Sequence, residues 1–261
     1  MTTIVITGAS SGIGAAAARR LAARGMTVAV VGRSAQATAA VAAETGGIGF
    51  TVDFTRFDDV RRLAGELLDR LPRIDVLANN AGMGPTGSKL TENGHETGVQ
   101  VNFLSPFLLT NLLLDRLAEA PDARVVNTSS SLYRFGRLDP DDLGGTGGYA
   151  GAKLANILHA AEIEKRTPAN VRAVAFHPGT VRSGLARQTP AVGWVQRSAA
   201  GRRFTRSPEE GAEPLVHLAT VATPATGYFD RLTPRPVRHR AAADPAFGAR
   251  LWERAAALTD S

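Results

Sequence analysis

Two kinds of hydrophobic pattern alternate along the chain. Short runs of apolar, often β-branched residues predict buried strands, and longer stretches in which apolar positions recur every three or four residues predict helices. The predicted strands are Thr2–Thr7, Thr27–Val31, Gly49–Val52, Ile74–Ala78, Arg124–Thr128 and Val171–Phe176. The predicted helices run from the turn after the first strand to about Arg24, and then over about residues 35–44, 56–71, 96–118, 149–166, 208–222 and 246–258.

Strands that alternate with helices of this length predict an α/β fold, a doubly wound parallel sheet with helices on both faces. The chain has 261 residues, 44% of them hydrophobic, which suits one large domain over residues 1–261. In such sheets the ligand lies beyond the carboxyl ends of the strands. We therefore expect one sheet edge to gather the glycine and polar residues that directly follow strands, namely Gly8–Gly14, Arg33, Asp53, Asn79–Gly82, Ser129–Ser131 and Pro178-Gly179.

The turn after the first strand, Gly8-Ala9-Ser10-Ser11-Gly12-Ile13-Gly14, leads directly into a helix. Small residues there let the backbone approach a pyrophosphate, and the helix N-terminus offers it free N–H groups. The spacing differs from the common G-x-G-x-x-G fingerprint, and an ordinary strand-to-helix turn is the alternative. The position between a strand and a helix favours a dinucleotide-binding loop.

The end of the second strand bears on the choice of cofactor. An NAD site places Asp or Glu here for the ribose 2′-hydroxyl, whereas this chain has Val31-Gly32-Arg33-Ser34. Arg33 is suited to a 2′-phosphate through a charge-assisted pair, for a preference of about one to two decades. The alternative is an ordinary surface arginine, because only three of the 30 basic residues are lysine. We expect NADP(H).

Tyr149 and Lys153 are four residues apart on a predicted helix and therefore share one face. An ammonium group near a phenol favours the phenolate, so we expect a lowered pKa for Tyr149 and proton exchange at working pH. Tyr133 has Arg137 at the same spacing, but a guanidinium does not deprotonate in proteins. We interpret Tyr133 as a possible pocket wall.

Composition excludes several other classes of function. The chain has no Cys, which excludes disulfides and a catalytic thiol, and its five His do not stand at zinc-ligand spacing. The net charge is +6, but the arginines are spread among 24 acidic residues without a basic stripe, so we expect no nucleic-acid partner. No apolar run reaches the length of a membrane span and no signal peptide precedes the first strand. We expect a cytoplasmic protein without a membrane partner.

Taken together, the motifs resemble those of the short-chain dehydrogenase/reductase family over about residues 3–185. The segments that carry the resemblance are Thr7-Gly8-xxx-Gly12-x-Gly14, Asn79-Asn80-Ala81-Gly82, the serine cluster, Tyr149-xxx-Lys153 and Pro178-Gly179. Further segments are similar to the branch of retinol dehydrogenases and protochlorophyllide reductases, namely Val101-Asn102-Phe103-Leu104, Asp141-Asp142-Leu143, Lys153-Leu154-Ala155-Asn156, His177-Pro178-Gly179-Thr180-Val181 and Gly227-Tyr228-Phe229.

The resemblance implies a Rossmann-type fold and a catalytic tetrad. Tyr149 would be the general acid in carbonyl reduction and the base in alcohol oxidation, while Lys153 would lower its pKa and hold the nicotinamide ribose. Ser130 would hydrogen-bond the reacting oxygen, with Ser129 or Ser131 as the alternative. Asn102 would hold a water in a proton relay, or alternatively only cap or satisfy a helix.

The resemblance also implies a set of cofactor-binding residues and no metal site. That set is Gly8, Ser10, Ser11, Gly12, Ile13, Gly14, Arg33, Asp53, Phe54, Asn79, Ala81, Gly82, Tyr149, Lys153, Pro178, Gly179, Val181 and Ser183.

A substrate lid is expected at about residues 184–207, where Trp194, Val195 and Phe204 lie among several arginines. Such a mixture suits a medium-sized, partly apolar small molecule. We therefore expect an NADP(H)-dependent oxidoreductase that interconverts a ketone or aldehyde and an alcohol. Two alternatives stay open: an enzyme of the same fold that performs dehydration, epimerisation or cyclisation, and a cofactor-binding sensor without turnover.

The resemblance bears on assembly as well. It implies that the helices at about 96–118 and 149–166 pair across a two-fold axis, in a homodimer or homotetramer. Symmetric association is also the default for soluble oligomers.

Overall fold

The structure is a computed structural model that describes residues 2–85, 87, 89–144, 147–181 and 205–260. Ser183 and the part of the expected lid from residue 184 to 204 lie outside the described residues.

One eight-stranded sheet runs through the described part of the chain, in the order β3-β2-β1-β4-β5-β6-β7-β8. The strands are β1 (Thr3–Thr7), β2 (Thr27–Gly32), β3 (Ile48–Thr51), β4 (Val76–Asn79), β5 (Ala123–Thr128), β6 (Val171–His177), β7 (Gly227–Asp230) and β8 (Thr233–Pro234). Strands β1 to β7 are parallel, and β8 pairs antiparallel with β7. The strand order reverses between β1 and β4, which makes the crevice above them the expected place for a ligand.

Helices cover both faces of this sheet. They are α1 (Gly12–Ala22), α2 (Ala35–Thr45), α3 (Phe57–Arg70), α4 (Thr97–Ala118), α5 (Gly148–Arg166), α6 (Pro208–Thr220), α7 (Arg240–Ala243) and α8 (Pro245–Thr259). The predicted doubly wound parallel sheet is confirmed, and every predicted strand and helix ends within two residues of its observed bounds. Strands β7 and β8 and the short helix α7 were not predicted.

The strands are apolar on both faces because both faces are covered. In β1, Val5 points into the layer formed with α3, α4, α5 and α8. Ile4 and Ile6 point into the opposite layer, which α1, α2 and α6 cover. The crevice at the carboxyl edge therefore stands on a core that is packed from both sides.

Helix α4 is irregular at the point where it enters the crevice. A wide π turn at Gln100–Leu104 separates the first turn from the regular helix Ser105–Ala118. The Ser105 N–H bonds the Gln100 carbonyl across this turn. Such turns are often found at functional sites. The hydrophobic pattern did not predict this irregularity.

Helix α4 also meets the length and hydropathy of a membrane span, with 22 residues and a mean hydropathy of 1.2, but 83% of that segment is buried inside the fold. The expectation that no apolar stretch reaches that length is therefore wrong. The burial shows α4 to be a core helix of this fold.

Helix α5 is buried around its whole circumference over residues 151–160, and helix α8 closes its outer side. The Trp252 ring on α8 lies 5.0 Å from the ring of Phe107 on α4 and 5.5 Å from that of His159 on α5. At Gly248, an added Cβ would come 2.5 Å from the Glu162 carboxylate of α5. The chain's own C-terminal helix therefore covers part of the surface of α5, and the expected pairing of α4 and α5 with a partner's helices stays a prediction.

Candidate active site

The glycine-rich turn is shaped so that only glycine fits at its critical positions. Gly8 and Gly12 have φ values of +66° and +56°. A Cβ on Gly14 would lie 2.5 Å from the Gly8 carbonyl oxygen, and one on Gly8 would lie 2.8 Å from the Ala81 Cα. The corresponding position on Gly12 has no atom within 4 Å among the described residues, so space opens beside the loop. The N-terminus of α1 faces this loop, and the side chain of its N-cap residue, Ser11, makes no capping hydrogen bond.

Hydrogen bonds from Thr7 hold the segment after β4 against this loop. Its hydroxyl donates to the Ala78 carbonyl at 3.2 Å and accepts from the Asn80 and Ala81 N–H groups at 3.0 and 2.9 Å. The Asn80 side chain donates to the Thr7 carbonyl at 2.9 Å. The expected cofactor residues Ala81 and Gly82 are therefore placed beside Gly8 at the switch point.

Asn79 lies at this edge only through its backbone. Its side chain turns into the core, where it donates to Thr110 Oγ1 and Asn127 Oδ1, both at 2.9 Å. The residue is 4% exposed. The structure does not bring the Asn79 side chain to the crevice.

Arg33 is exposed at the carboxyl end of β2, and among the described residues no acidic side chain forms an ion pair with it. The neighbouring Gly32 packs against Ser10, since an added Cβ would come 2.6 Å from the Ser10 Cβ. Arg33 and the serine of the glycine-rich turn therefore flank the same corner of the crevice. An exposed guanidinium in this position is suited to an anion.

Asp53 and Phe54 shape the loop after β3. Asp53 Oδ1 accepts from the Thr55 N–H at 2.9 Å and from the Thr55 hydroxyl at 2.8 Å, and its own N–H donates to Asp59 at 3.0 Å. The Phe54 carbonyl accepts from the Ser105 hydroxyl at 2.7 Å. The Asp53 carboxylate is thus engaged in holding its own turn.

Lys153 and Tyr149 face the crevice from the first turns of α5. The Lys153 ammonium is buried, donates to the Thr128 carbonyl at 3.0 Å and lies 5.6 Å from the centre of the Tyr149 ring. Burial lowers the pKa of Lys153 to about 8. Burial raises the pKa of Tyr149, and a hydrogen bond with Ser130 offsets part of that rise. The expectation of a lowered Tyr149 pKa is therefore wrong for the chain alone, and the phenol is protonated at neutral pH, as a general acid must be.

The three serines after β5 take different positions, which distinguishes the alternatives left open above. Ser129 is 2% exposed and donates its hydroxyl to the Lys153 carbonyl at 2.7 Å. Ser131 is exposed at the start of a short 3₁₀ turn, Ser131–Phe135. Ser130 lies near enough to the Tyr149 hydroxyl to lower its pKa, and its own hydroxyl accepts from the Leu132 N–H at 3.3 Å. The geometry favours Ser130 as the hydroxyl that works with the phenol.

Asn102 lies in the π turn of α4 and binds the loop after β4. Its side-chain amide donates to the Met83 and Gly98 carbonyls at 3.1 and 2.7 Å and accepts from the Met83 N–H at 3.1 Å. A Cβ on Gly82 would lie 2.7 Å from Asn102 Oδ1 and 3.4 Å from the Lys153 ammonium. Gly82 therefore packs closely against Asn102 and Lys153, and a larger residue there would clash with the Asn102 amide oxygen.

The segment after β6 reaches the same crevice. Gly179 has a φ of +89°, and an added Cβ would lie 3.0 Å from Cδ of Arg206. Val181 pairs with Arg206, and both Val181 and Ile13 pack against Gly211 at the start of α6. The residues after Pro178 therefore lie next to the glycine-rich turn.

Two residues of this region were missed as site candidates. Arg206 follows the last predicted strand in the chain, and no local sequence motif marks it as a site residue. Asn156 stands in the segment that carried the branch resemblance, but only the fold shows what its side chain contacts.

These residues fit a nicotinamide dinucleotide. The open space at Gly12, the N-terminus of α1 and the exposed Arg33 suit the phosphates. No group of three potential metal ligands occurs among the described residues. The fold and the site define an oxidoreductase of the nicotinamide-dependent class.

Comparison with known proteins leads to the same class. The sequence profile of the short chain dehydrogenase family matches residues 2–192, and this chain belongs to that family, whose members use NAD(P)(H). A Streptomyces sp. (strain C5) protein named as a daunorubicin C-13 ketoreductase, DnrU, is 41% identical over 273 residues, which cover 98% of this chain and 91% of that protein. Human retinol dehydrogenase 13 is 33% identical, over 98% of this chain and 84% of its own length. The expected resemblance to the retinol dehydrogenase branch is confirmed.

A solved structure adds a bound cofactor to these comparisons. The angucycline C-6 ketoreductase LanV with bound NADP is 27% identical and superposes with a TM-score of 0.69, over 88% of this chain and 93% of that one.

Proposed function

We propose that this chain reduces a ketone on a medium-sized, partly apolar molecule, with NADPH as the reductant and Tyr149 as the general acid. The observation that carries the proposal is the arrangement of Lys153, Tyr149 and Ser130 at the carboxyl edge of the sheet, with Gly82 packed close to the Lys153 ammonium. The similarity to DnrU and LanV supports a ketone rather than another carbonyl compound, since both are named as ketoreductases.

The chemistry is divided between cofactor and chain. The nicotinamide, when bound, supplies the hydride. Ser130 orients the carbonyl oxygen by a hydrogen bond, and Tyr149 donates its phenolic proton to that oxygen as negative charge develops there. Lys153, charged at neutral pH with a pKa of about 8, stabilises the phenolate that Tyr149 becomes.

The burial that raises the Tyr149 pKa serves this direction of reaction. A phenol with a raised pKa is fully protonated at neutral pH and is therefore ready to donate. In alcohol oxidation the same residue would have to start as the phenolate, which burial disfavours. In the chain without cofactor, Tyr149 is therefore in the protonation state that carbonyl reduction requires.

Arg33 is the residue that we propose to select NADPH over NADH. It is exposed, and no carboxylate pairs with it among the described residues. The site also lacks the acidic residue that an NAD site needs at the end of β2. We further propose that the protein acts in the cytoplasm, with a small molecule as its partner.

The test begins with fluorescence titration of the purified protein with NADPH and NADH. It continues with the loss of nicotinamide absorbance in the presence of polycyclic aromatic ketones, aliphatic ketones and retinal. Tight NADPH binding with ketone-dependent oxidation is the expected result. Binding without oxidation of NADPH by any carbonyl compound would contradict the proposal and favour a non-redox enzyme or a sensor.

A further inference from the structure

Asn156, seven residues after Tyr149, links three parts of the site although no sequence motif assigns it a role. Its side-chain amide donates to the Asn102 carbonyl at 3.1 Å and to the Thr128 carbonyl at 3.2 Å. Both acceptors are carbonyl oxygens, so only the NH₂ end of the amide can face them. The residue is 3% exposed, and its own backbone carbonyl accepts from Asn127 at 3.1 Å.

The Asn102 carbonyl needs such a donor because of the residue four positions later. Pro106 has no N–H, so the regular helical bond to Asn102 is missing. The wide turn of α4 thus presents a backbone oxygen towards α5, and Asn156 binds it. This contact fixes the turn that also carries the Asn102 side chain.

The Thr128 carbonyl is shared by two donors. Lys153 donates to it at 3.0 Å and Asn156 at 3.2 Å. The side-chain nitrogens of the two residues therefore lie within about 6 Å of each other, a range over which a charge at one group shifts the pKa of the other. Any change of charge at Asn156 is expected to reach the ammonium.

The surroundings of Lys153 contain little else that titrates. On α5 the titratable neighbours are Tyr149, whose ring centre is 5.6 Å away, and the buried His159, which is neutral because burial lowers its pKa to about 3. From β5, the Thr128 carbonyl binds Lys153, and Asn127 on β5 and Asn102 in the π turn of α4 bind Asn156; none of these three residues titrates. No carboxylate forms an ion pair with Lys153 in the described part of the chain. The positive charge of the Lys153 ammonium is therefore stabilised locally by the dipoles of backbone carbonyl groups.

We propose that Asn156 is a positioning residue for Lys153. Its amide holds the Thr128 carbonyl that binds the ammonium and ties the π turn of α4 to α5. The role deepens the proposed ketoreductase function, because the ammonium that Asn156 positions is the one that stabilises the Tyr149 phenolate and that would hold the nicotinamide ribose.

Two variants test this role. Asn156→Leu keeps the approximate size and removes the donor, and we expect kcat to fall by about tenfold, the worth of one buried hydrogen bond, with KM for NADPH and ketone within about twofold. Asn156→Asp places a carboxylate near the ammonium and raises the pKa of Lys153. Functions that need the charged lysine are complete below its pKa and decline as pH rises through it. The decline, near pH 8 in the native chain, is expected to move up by about one unit or more in the Asp variant.

The pH dependence is measured twice, as kcat for ketone reduction and as NADPH affinity without ketone. The second readout keeps the Asn156 role testable if the chain turns out to reduce no ketone, an outcome that would refute the proposed function alone. Thr110→Val is the matched control. Thr110 is fully buried in the same polar network, accepting from Asn79, but does not contact Lys153. It should lower the melting temperature without moving either pH profile.

Three results would overturn the role. One is a native kcat in Asn156→Leu. Another is an unshifted pH profile of NADPH affinity in a folded Asn156→Asp. The third is a result in which stability and kcat fall together in Asn156→Leu, in the same proportion as they do in Thr110→Val. This test applies also if the Asp variant fails to fold.

Discussion

The two halves of the crevice are lined by different kinds of chemical group. The half above β1, β2 and β3 is lined by backbone at Gly8, Gly12 and Gly14 and by the exposed side chain of Arg33. The half above β4, β5 and β6 is lined by buried polar side chains, each held by two or more hydrogen bonds, as at Asn102 and Asn156. The first half binds by leaving space and N–H groups free, whereas the second acts through groups whose pKa is set by burial. Substitutions in the first half should therefore change cofactor affinity, and substitutions in the second half should change turnover.

The largest separation is expected from Tyr149→Phe. Loss of the phenolic proton should lower kcat by about a thousandfold, within the range for general acid catalysis, while NADPH affinity stays close to native. Stopped-flow measurement of nicotinamide absorbance together with a binding titration checks both parts. Tyr133→Phe is the control, since Tyr133 is also buried and its hydroxyl only accepts from the Arg238 N–H. Near-native turnover in Tyr149→Phe would refute the assignment.

The serines offer the next comparison. Ser130→Ala should lower kcat by about a hundredfold, as expected for one hydrogen bond to developing negative charge. Ser129→Ala instead leaves the buried Lys153 carbonyl without this donor, and should cost about 1–3 kcal/mol of unfolding free energy with a smaller effect on kcat. Steady-state kinetics and urea unfolding on both variants decide the matter. A reversal of the two effects would move the working hydroxyl to Ser129.

In the other half, Arg33→Ala should weaken NADPH binding by about ten- to a hundredfold and leave NADH binding nearly unchanged. Titration of both cofactors is the measurement. Arg62→Ala, at a partly exposed arginine on α3 that pairs with Glu66, serves as the control. Equal losses for the two cofactors would show that Arg33 does not read the 2′-phosphate.

The smallest effect is expected where α8 packs against α5, behind the half of the crevice above β4, β5 and β6. Gly248→Ala pushes a methyl group against the Glu162 carboxylate and should cost about 1–3 kcal/mol of stability, with NADPH affinity unchanged. Gly65→Ala on α3, where an added Cβ meets nothing within 4 Å, should be neutral or stabilising by up to about 1 kcal/mol. Thermal unfolding of the two variants provides the contrast.

Light scattering tests the contact of α8 with α5 at the level of oligomeric state. The expected homodimer or homotetramer would scatter at two or four times the chain mass of 27.4 kDa. A 27.4 kDa monomer would refute that expectation and would show that α8 takes the place of a partner's helices on α5.

Sequence alone was sufficient for the parts that rest on local rules. Glycine spacing, strand ends and the Tyr149–Lys153 spacing follow from backbone geometry and helix periodicity, so the sheet and the crevice edge were predictable. The π turn of α4, the inward side chain of Asn79 and the contacts of Asn156 depend on residues 20 to 55 positions away. The Tyr149 pKa was wrongly predicted for the same reason, since burial by distant elements raises that pKa.

The covering of α5 by α8 has a consequence for how the chain is made. The glycine-rich turn and the strands β1, β2 and β3 are synthesised within the first quarter of the sequence. Helix α8, in contrast, follows all the elements that it covers. Until α8 emerges from the ribosome, the side of α5 around His159 and the ring of Phe107 on α4 lack their final cover. Nascent chains of this protein therefore have a cofactor crevice earlier than a protected catalytic helix, and premature termination after residue 240 would release a form that is prone to aggregate.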